Sequence, residues 1–189
     1  MMRNSYLKNQ KGFTLVEIAI VLVIVGLLIG GILKGQSMIR NAKVKRLVNE
    51  IEGIRAAALS YQDRYGMLPG DESDANAPIG DSATQGDNDG YFDAAETGLV
   101  MEDLRLAELI SGTGTTLPTH AYGGAIRLQY QNVGGSGNRN QIITTNVPAE
   151  VCQEIDSKYD DGVYNAGDIR GSAAYTANGT VATFAWKFN

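Results

Sequence analysis

The hydrophobic pattern of the chain changes near residue 34. From Phe13 to Leu33 there are 21 residues, of which only Thr14 and Glu17 are polar. At about 1.5 Å per residue, such a run forms a helix roughly 31 Å long, which is enough to cross the core of a bilayer. The pattern therefore predicts a transmembrane helix over residues 13–33.

Residues 34–65 continue the helix with a different pattern. Apolar side chains recur there mostly at steps of three and four, which is typical of a helix with one buried face. They are Val44, Leu47, Val48, Ile51, Ile54, Ala58, Tyr61 and Tyr65. No proline precedes Pro69, and Gly66 is a plausible C-terminal stop. We therefore expect one helix from about Thr14 to Tyr65, with an amphipathic second half.

Residues 66–189 predict a small globular head. After a long ordered loop at 66–98, short helices are expected at 98–110, with Thr97 as the cap, and from Pro148 to about Tyr159. Strands are expected at 125–133, 141–147, 173–175 and 180–188, the last two joined by a turn at Asn178-Gly179. This order predicts an α+β fold in which a small antiparallel sheet packs on the long N-terminal helix.

The segment before the apolar run has its own composition. Residues 1–12 carry Arg3, Lys8 and Lys11, contain no acidic residue and end in Gly12. They predict a short charged leader that is removed before Phe13. It differs from an ordinary secretory signal peptide, because the apolar region is too long and the small residue precedes it.

Glu17 is the anomaly of the apolar run. A carboxylate this far into a membrane helix costs about 2–3 kcal/mol even on lenient insertion scales, so it is a candidate functional residue that needs a partner. Cleavage after Gly12 would create an α-amino group on Phe13, one helical turn away. The new cation and the carboxylate of Glu17 would neutralise each other in lipid, within one chain or between two.

The segment Lys11-Gly12-Phe13-Thr14-Leu15-Val16-Glu17, followed by an unbroken apolar helix, resembles the cleavage and methylation signature of the type IV pilin and pseudopilin superfamily. The resemblance implies a prepilin peptidase that cuts between Gly12 and Phe13, and N-methylation of Phe13. It also implies that Glu17 pairs with the Phe13 ammonium of a neighbouring subunit in a filament. An inner-membrane assembly platform is a further implied partner.

The resemblance implies a structural function, as a subunit of a type IV pilus or a type II secretion pseudopilus, with other pilin-like subunits as partners and no enzymatic activity. The precursor would span the inner membrane once, with its leader in the cytoplasm, and the assembled filament would be periplasmic or extracellular. The alternative is a membrane-tethered minor or tip protein whose head binds an exported substrate or a surface. Glu17 discriminates between the two, because a tether needs no carboxylate in lipid.

A hydrolase on a stalk is a third hypothesis. It would have to use His120, the only histidine, which we expect to be an exposed loop residue. Many type IV pilins close a C-terminal loop with a disulfide. Cys152 is the only cysteine here, so no disulfide can form within the chain.

Charge is divided unequally along the chain. Residues 1–65 contain ten Lys or Arg and four acidic residues, whereas residues 66–189 contain six and seventeen. An acidic head argues against nucleic acid as its partner, because phosphate binding needs a basic surface. Residues 34–46 contain five basic residues and no acidic one, and before assembly we expect them near anionic lipid headgroups.

Residues 85–96 match much of a twelve-residue EF-hand-type calcium loop. Four carboxylates fall at ligand positions, Gly90 falls at the sharp turn, and Gln85 stands at position one, where Asp is usual. The sequence predicts a Ca²⁺ site with ligands from Gln85, Asp87, Asp89, Asp93, Glu96 and the carbonyl of Tyr91. An acidic loop closed by Asx-turns is the alternative.

A second acidic segment, residues 160–168, resembles a D-D-G loop found near the C-terminal region of some pilin-like proteins. We expect it to form an ordered turn that is hydrogen-bonded to the sheet.

Overall fold

The computed structural model describes residues 12–73, 86–176 and 178–189. The chain forms two compact units, Met1–Asn41 and Ala42–Asn189. Most of the predicted leader, residues 1–11, and Gln85 of the predicted calcium loop lie outside the described residues.

Helix α1, Leu15–Tyr65, begins and ends close to its predicted limits. Its N-terminal part, in the first unit, exposes its large apolar side chains all round, and the helix is long and apolar enough to cross a membrane. It ends at Gly66, which has φ 79° and donates its N–H to the carbonyl of Gln62 at 2.8 Å. Glycine is favoured at this position, since it adopts the left-handed conformation without a Cβ penalty.

The part of α1 in the second unit buries one face against the head. The buried side chains are Val44, Leu47, Val48, Ile51, Ile54, Ala57, Ala58 and Tyr61. This stripe matches the predicted one, except that Tyr65 is only partly buried and Ala57 joins the set. Burial of one continuous apolar face is the main force that orients this part of the helix in the head.

The head contains one four-stranded antiparallel sheet with strand order β1-β2-β4-β3. The strands are β1 Ile126–Gln131, β2 Arg139–Pro148, β3 Ile169–Gly171 and β4 Thr180–Lys187. Neighbouring pairs such as Leu128 with Ile142 and Ile142 with Trp186 place apolar side chains in the core shared with α1. Ile143 and Ala185, on adjacent positions of β2 and β4, form a small separate cluster with Val133.

The described residues of the head also form two short helices, α2 Thr97–Leu106 and α3 Ala149–Tyr159. Helix α3 starts one residue later than predicted, since Pro148 occupies the N-cap position, and it buries Val151, Cys152 and Ile155 as predicted. The α+β prediction, with a long N-terminal helix and an antiparallel sheet, is confirmed.

Three local predictions were wrong. Helix α2 ends at Leu106 instead of 110, because the chain turns at Glu108, which has φ 57°, and the amides of residues 109 and 110 both bond to the carbonyl of Leu104. Thr97 is the first helical residue instead of the cap, and Glu96 occupies the cap position. The strand that pairs with β4 lies at 169–171 instead of 173–175.

Candidate functional site

The N-terminal end of α1 places Thr14 and Glu17 in mutual contact. The amide N–H and the hydroxyl of Thr14 donate to Glu17 Oε2 at 2.8 and 2.7 Å, and the amide of Glu17 donates to Thr14 Oγ1 at 3.2 Å. This reciprocal arrangement is a capping box, in which the two side chains satisfy backbone donors of the first turn. The carboxylate of Glu17 therefore has hydrogen-bond partners within its own chain.

The spacing Thr14-x-x-Glu17 is a sequence signal for a capping box, and sequence reasoning missed it because it considered Glu17 only as a charge in lipid. Phe13, which precedes the helix, is 84% exposed. Phe13 thus lies just before α1 and Glu17 lies in its first turn, while the roles of both residues in cleavage and assembly stay predictions.

Two clusters of three carboxylates lie among the described residues of the head, one formed by Asp156, Asp160 and Asp161 and the other by residues of the predicted calcium loop and Asp71. Single carboxylate oxygens of Asp71, Asp87 and Asp89 all lie within 4.8 Å of one another. Asp71 is buried, and its side chain accepts the amides of Asp89 at 3.1 Å and Gly90 at 2.9 Å. Burial raises the pKa of Asp71 above its ordinary value. Asp71 is sixteen positions before Asp87, so no local spacing pointed to it.

The structure does not gather all the residues of the predicted calcium loop into this cluster. Glu96 is 3% exposed, and its Oε2 accepts the amide of Asp93 at 2.9 Å at the start of α2. Burial raises the pKa of Glu96 to about 7. Tyr91 donates its amide to Asp89 Oδ1 at 2.8 Å, and its ring stacks on Tyr130 at 4.1 Å between centroids.

Residues 86–96, called the acidic loop below, are held to the sheet by Asn140. The side-chain oxygen of Asn140 accepts the amide of Phe92 at 3.1 Å, and its nitrogen donates to the carbonyl of Gly90 at 2.9 Å. Gly90 has φ 86°, which agrees with the predicted sharp turn. Asn140 was not predicted to position the loop. It reaches the loop only because the pairing of β2 in the sheet places it there, and this contact leaves no local pattern in the sequence.

The second acidic segment forms the predicted ordered turn. Asp160 Oδ2 accepts the amides of Asp168 at 2.5 Å and Ile169 at 2.7 Å, and Ile169 opens strand β3. Asp156 is fully buried and accepts the Tyr175 hydroxyl at 2.7 Å. Burial raises the pKa of Asp156. Asp156 and Asp160 thus bind backbone amides and a tyrosine of their own head, and Asp168 pairs with Arg139 at 3.5 Å.

His120 is buried instead of exposed, so that prediction was wrong. It is 4% exposed, its Nε2 lies 2.8 Å from the carbonyl of Thr145, and its Nδ1 accepts the amide of Tyr122 at 3.2 Å. The ring therefore joins the segment before β1 to strand β2. Because both ring nitrogens are bound to the backbone, His120 has a structural role. Neither nitrogen is free to accept a proton from a substrate in this arrangement.

Cys152 is free and buried in α3, and burial raises the pKa of its thiol. A thiol held in its protonated form is a poor nucleophile and a poor metal ligand.

Comparison with known proteins gives two results. Residues 7–33 match the family model described as the prokaryotic N-terminal methylation motif. The structure is similar to that of the major type IV pilin PilA1 from Clostridium difficile, with a TM-score of 0.44 and 16% sequence identity. That similarity covers 80% of this chain and 98% of the other. No curated protein matches the chain.

Proposed function

We propose that this chain, which carries the N-terminal methylation signature of type IV pilins and pseudopilins, is a structural subunit of a type IV pilus or a type II secretion pseudopilus. Prepilin peptidase would cleave it between Gly12 and Phe13. The observation that carries the proposal is a carboxylate, Glu17, in the first turn of an apolar helix that begins two residues after the predicted cleavage point. No enzymatic activity is part of the proposal.

Before assembly, the first half of α1 anchors the precursor in the membrane, with the leader in the cytoplasm and the head outside it. In this state Glu17 is bound by Thr14 of its own chain. This contact lowers the cost of placing the carboxylate in lipid, because an ion or polar group without partners there costs several kcal/mol.

During assembly, the Phe13 ammonium of one subunit pairs with Glu17 of a neighbour. Cleavage creates this cation, and N-methylation retains its charge. The pair gains strength from the low dielectric around it, and it fixes the axial register of neighbouring helices. The capping box then acts as a temporary partner that the intersubunit ion pair replaces.

Three substitutions separate these roles. Glu17→Gln keeps an oxygen that can accept from Thr14 but removes the charge, so we expect normal insertion and cleavage and a loss of filament assembly. Thr14→Val removes both hydrogen bonds of the Thr14 hydroxyl but keeps the backbone bond to Glu17 and the charge of Glu17, so assembly should be impaired less. Thr14→Ser is the matched control and should assemble as the wild type does. Intact-mass analysis of membranes and purified filaments measures both steps, and normal assembly of Glu17→Gln would refute the pairing.

A second proposal concerns the acidic loop, where we propose that Ca²⁺ binds the carboxylates of Asp71, Asp87 and Asp89. It is supported by their mutual approach within 4.8 Å, and by the preference of Ca²⁺ for oxygen ligands. Extracellular calcium modules bind at about 10⁻⁴–10⁻³ M. At a free Ca²⁺ concentration ten times the dissociation constant, binding at one site would stabilise the head by roughly 1.4 kcal/mol.

This proposal is tested by melting the full chain in detergent with millimolar calcium and with chelator. We expect calcium to raise the melting midpoint of the wild type. The midpoint of the variant with Asp87→Asn plus Asp89→Asn should be the same with calcium and with chelator. Glu150→Gln plus Glu154→Gln, a pair on α3 that belongs to neither carboxylate cluster, is the control and should still respond. Equal responses of the wild type and the Asp87 and Asp89 variant would exclude this site.

A further inference from the structure

The part of α1 that belongs to the head unit begins with an excess of positive charge. Lys43, Lys45 and Arg46 are all exposed and are called the basic collar below. The ammonium of Lys43 lies 5.9 Å from the ring centroid of Tyr122. Arg46 pairs with Glu50 at 2.7 Å, but its side chain remains 68% exposed. The collar therefore presents basic groups to the solvent.

The acidic loop has the opposite character. Asp87 and Asp89 are exposed, and next to them lies the buried carboxylate of Asp71. The ion pairs formed between described residues involve Arg46, Arg55, Arg139 and Lys187, and none of them reaches a carboxylate of this loop. Asp87 Oδ1 accepts the amide of Asp89 at 3.2 Å, and Asp89 Oδ1 accepts the amide of Tyr91 at 2.8 Å, so both side chains bind backbone of the loop itself. Their negative charge is thus left without a basic partner in that part of the head.

The two surfaces are well separated along α1. The acidic loop lies near the C-terminal end of the helix, since Glu72, the neighbour of Asp71, accepts the hydroxyl of Tyr61 at 3.1 Å. From Lys45 to Tyr61 the helix rises about 24 Å at 1.5 Å per residue. The Debye length at physiological ionic strength is only about 8 Å. The collar and the loop of one copy therefore do not neutralise each other.

We propose that the basic collar of one copy binds the acidic loop of another copy in the filament. The inference rests on the proposed function as a filament subunit. A second copy displaced along the helix axis by about the same 24 Å brings surfaces of opposite charge together. Contact between two different surfaces of one chain is heterologous, and when it does not close into a ring it repeats as an open helical fibre.

Charge-neutral variants test the contact. Asp87→Asn plus Asp89→Asn keeps the side-chain oxygens that accept the loop amides and removes two charges. Glu150→Gln plus Glu154→Gln on α3 makes the same change in net charge elsewhere and is the matched control. Two exposed ion pairs correspond to a loss of about three- to thirtyfold in filament yield. Filaments are prepared with chelator, because calcium on the loop would also reduce its charge.

We expect the loop variant and Lys45→Gln plus Arg46→Gln to lose yield to a similar degree, while the control stays within twofold of the wild type. Loss in the collar variant alone would overturn the proposal, because it would indicate that anionic lipid, and not the loop, is the partner of the collar. Equal yields of the loop variant and the control would overturn it as well.

A disulfide between copies is the direct measurement. Chains with Lys45→Cys and chains with Asp87→Cys are expressed together, and the native Cys152 does not compete, because it is buried. We expect a disulfide-linked dimer in filaments of the mixture, and none in filaments of either variant alone or of Lys45→Cys with Glu154→Cys. If wild-type filaments form and depend on Glu17, but filaments of the mixed variants give no such dimer, the docking is refuted and the subunit function stands. The lack of any wild-type filament would refute both.

Discussion

Asp160 should be a principal stabilising residue at the edge of the sheet, although it is exposed. Its Oδ2 accepts the amides of both Asp168 and Ile169. Asp160→Ala removes both bonds, and the amide of Ile169, a residue only 4% exposed, is left without its acceptor. The turn that carries Asp168 and strand β3 should then separate from β4.

The magnitude follows from the two bonds. A hydrogen bond to a charged group contributes about 1.5–3 kcal/mol, and a buried donor that loses its partner costs about 1–3 kcal/mol. Asp168 is exposed, so water can replace its bond at little cost, and most of the loss comes from Ile169. We therefore expect Asp160→Ala to lower the free energy of unfolding by about 2–3 kcal/mol. For a domain of this size, that corresponds to a midpoint about 4–12 °C lower.

Fluorescence of Trp186, the only tryptophan, measures this change directly, because it lies on β4 opposite Ile169. The full chain in detergent is heated while this signal is followed. Asp161→Ala is the matched control, since Asp161 accepts one amide, that of Val163, and should cost less than about 1 kcal/mol. Gly167→Ala should also destabilise the turn, because a Cβ there would lie 2.0 Å from Asp160 Oδ2.

The argument would be refuted if Asp160→Ala melted within about 2 °C of the wild type, which corresponds to less than about 1 kcal/mol. Equal losses in Asp160→Ala and Asp161→Ala would also refute it, because the reasoning depends on the buried amide of Ile169.

Two further predictions concern buried acidic groups. Burial raises the pKa of Glu96 from 4.5 to about 7, so its contribution to stability is fully present below pH 4.5 and is lost as the pH rises through 7. In urea unfolding, the difference in free energy of unfolding between pH 5 and pH 8 should therefore be smaller for Glu96→Gln than for the wild type. An equal difference in the two proteins would contradict this assignment. Tyr61→Phe should cost about 1–3 kcal/mol, since it removes the hydroxyl that donates to the buried carboxylate of Glu72; Glu72→Gln added to Tyr61→Phe should recover part of the loss in the same assay, and no recovery would show that the cost has another origin.

The long helix could be predicted nearly to the residue. Its apolar run, its later stripe and Gly66 are local patterns, and each acts over one or two turns of helix. The limits of β1, β2 and α3 were predicted to within two residues, from Pro148 and the alternation of apolar residues. The capping box of Thr14 and Glu17 was missed, although it depends only on residues three positions apart and could have been found from the sequence.

The wrong predictions concern residues whose structure depends on contacts with distant parts of the chain. Residues 173–175 have a pattern suited to a strand, yet residues 169–171 pair with β4, because Asp160 binds the amides that open this strand. His120 is surrounded in sequence by Thr, Pro and Gly, yet the carbonyl of Thr145 and the packing of the adjacent segment bury it. Neither contact leaves a signal near the residue concerned.

The sequence alone determined the N-terminal signature, the membrane-length helix, the buried stripe and the α+β class, because these depend on composition and periodicity within short segments. Only the tertiary structure decided which carboxylates meet. Asp71, which follows the end of α1, lies beside Asp87 and Asp89, although it is far from them in sequence. Glu96 is not part of this cluster, because it lies at the start of α2 and binds the amide of Asp93. A cluster of charges depends on distances of a few ångströms between residues far apart in the chain, and only the packing of the head fixes such distances.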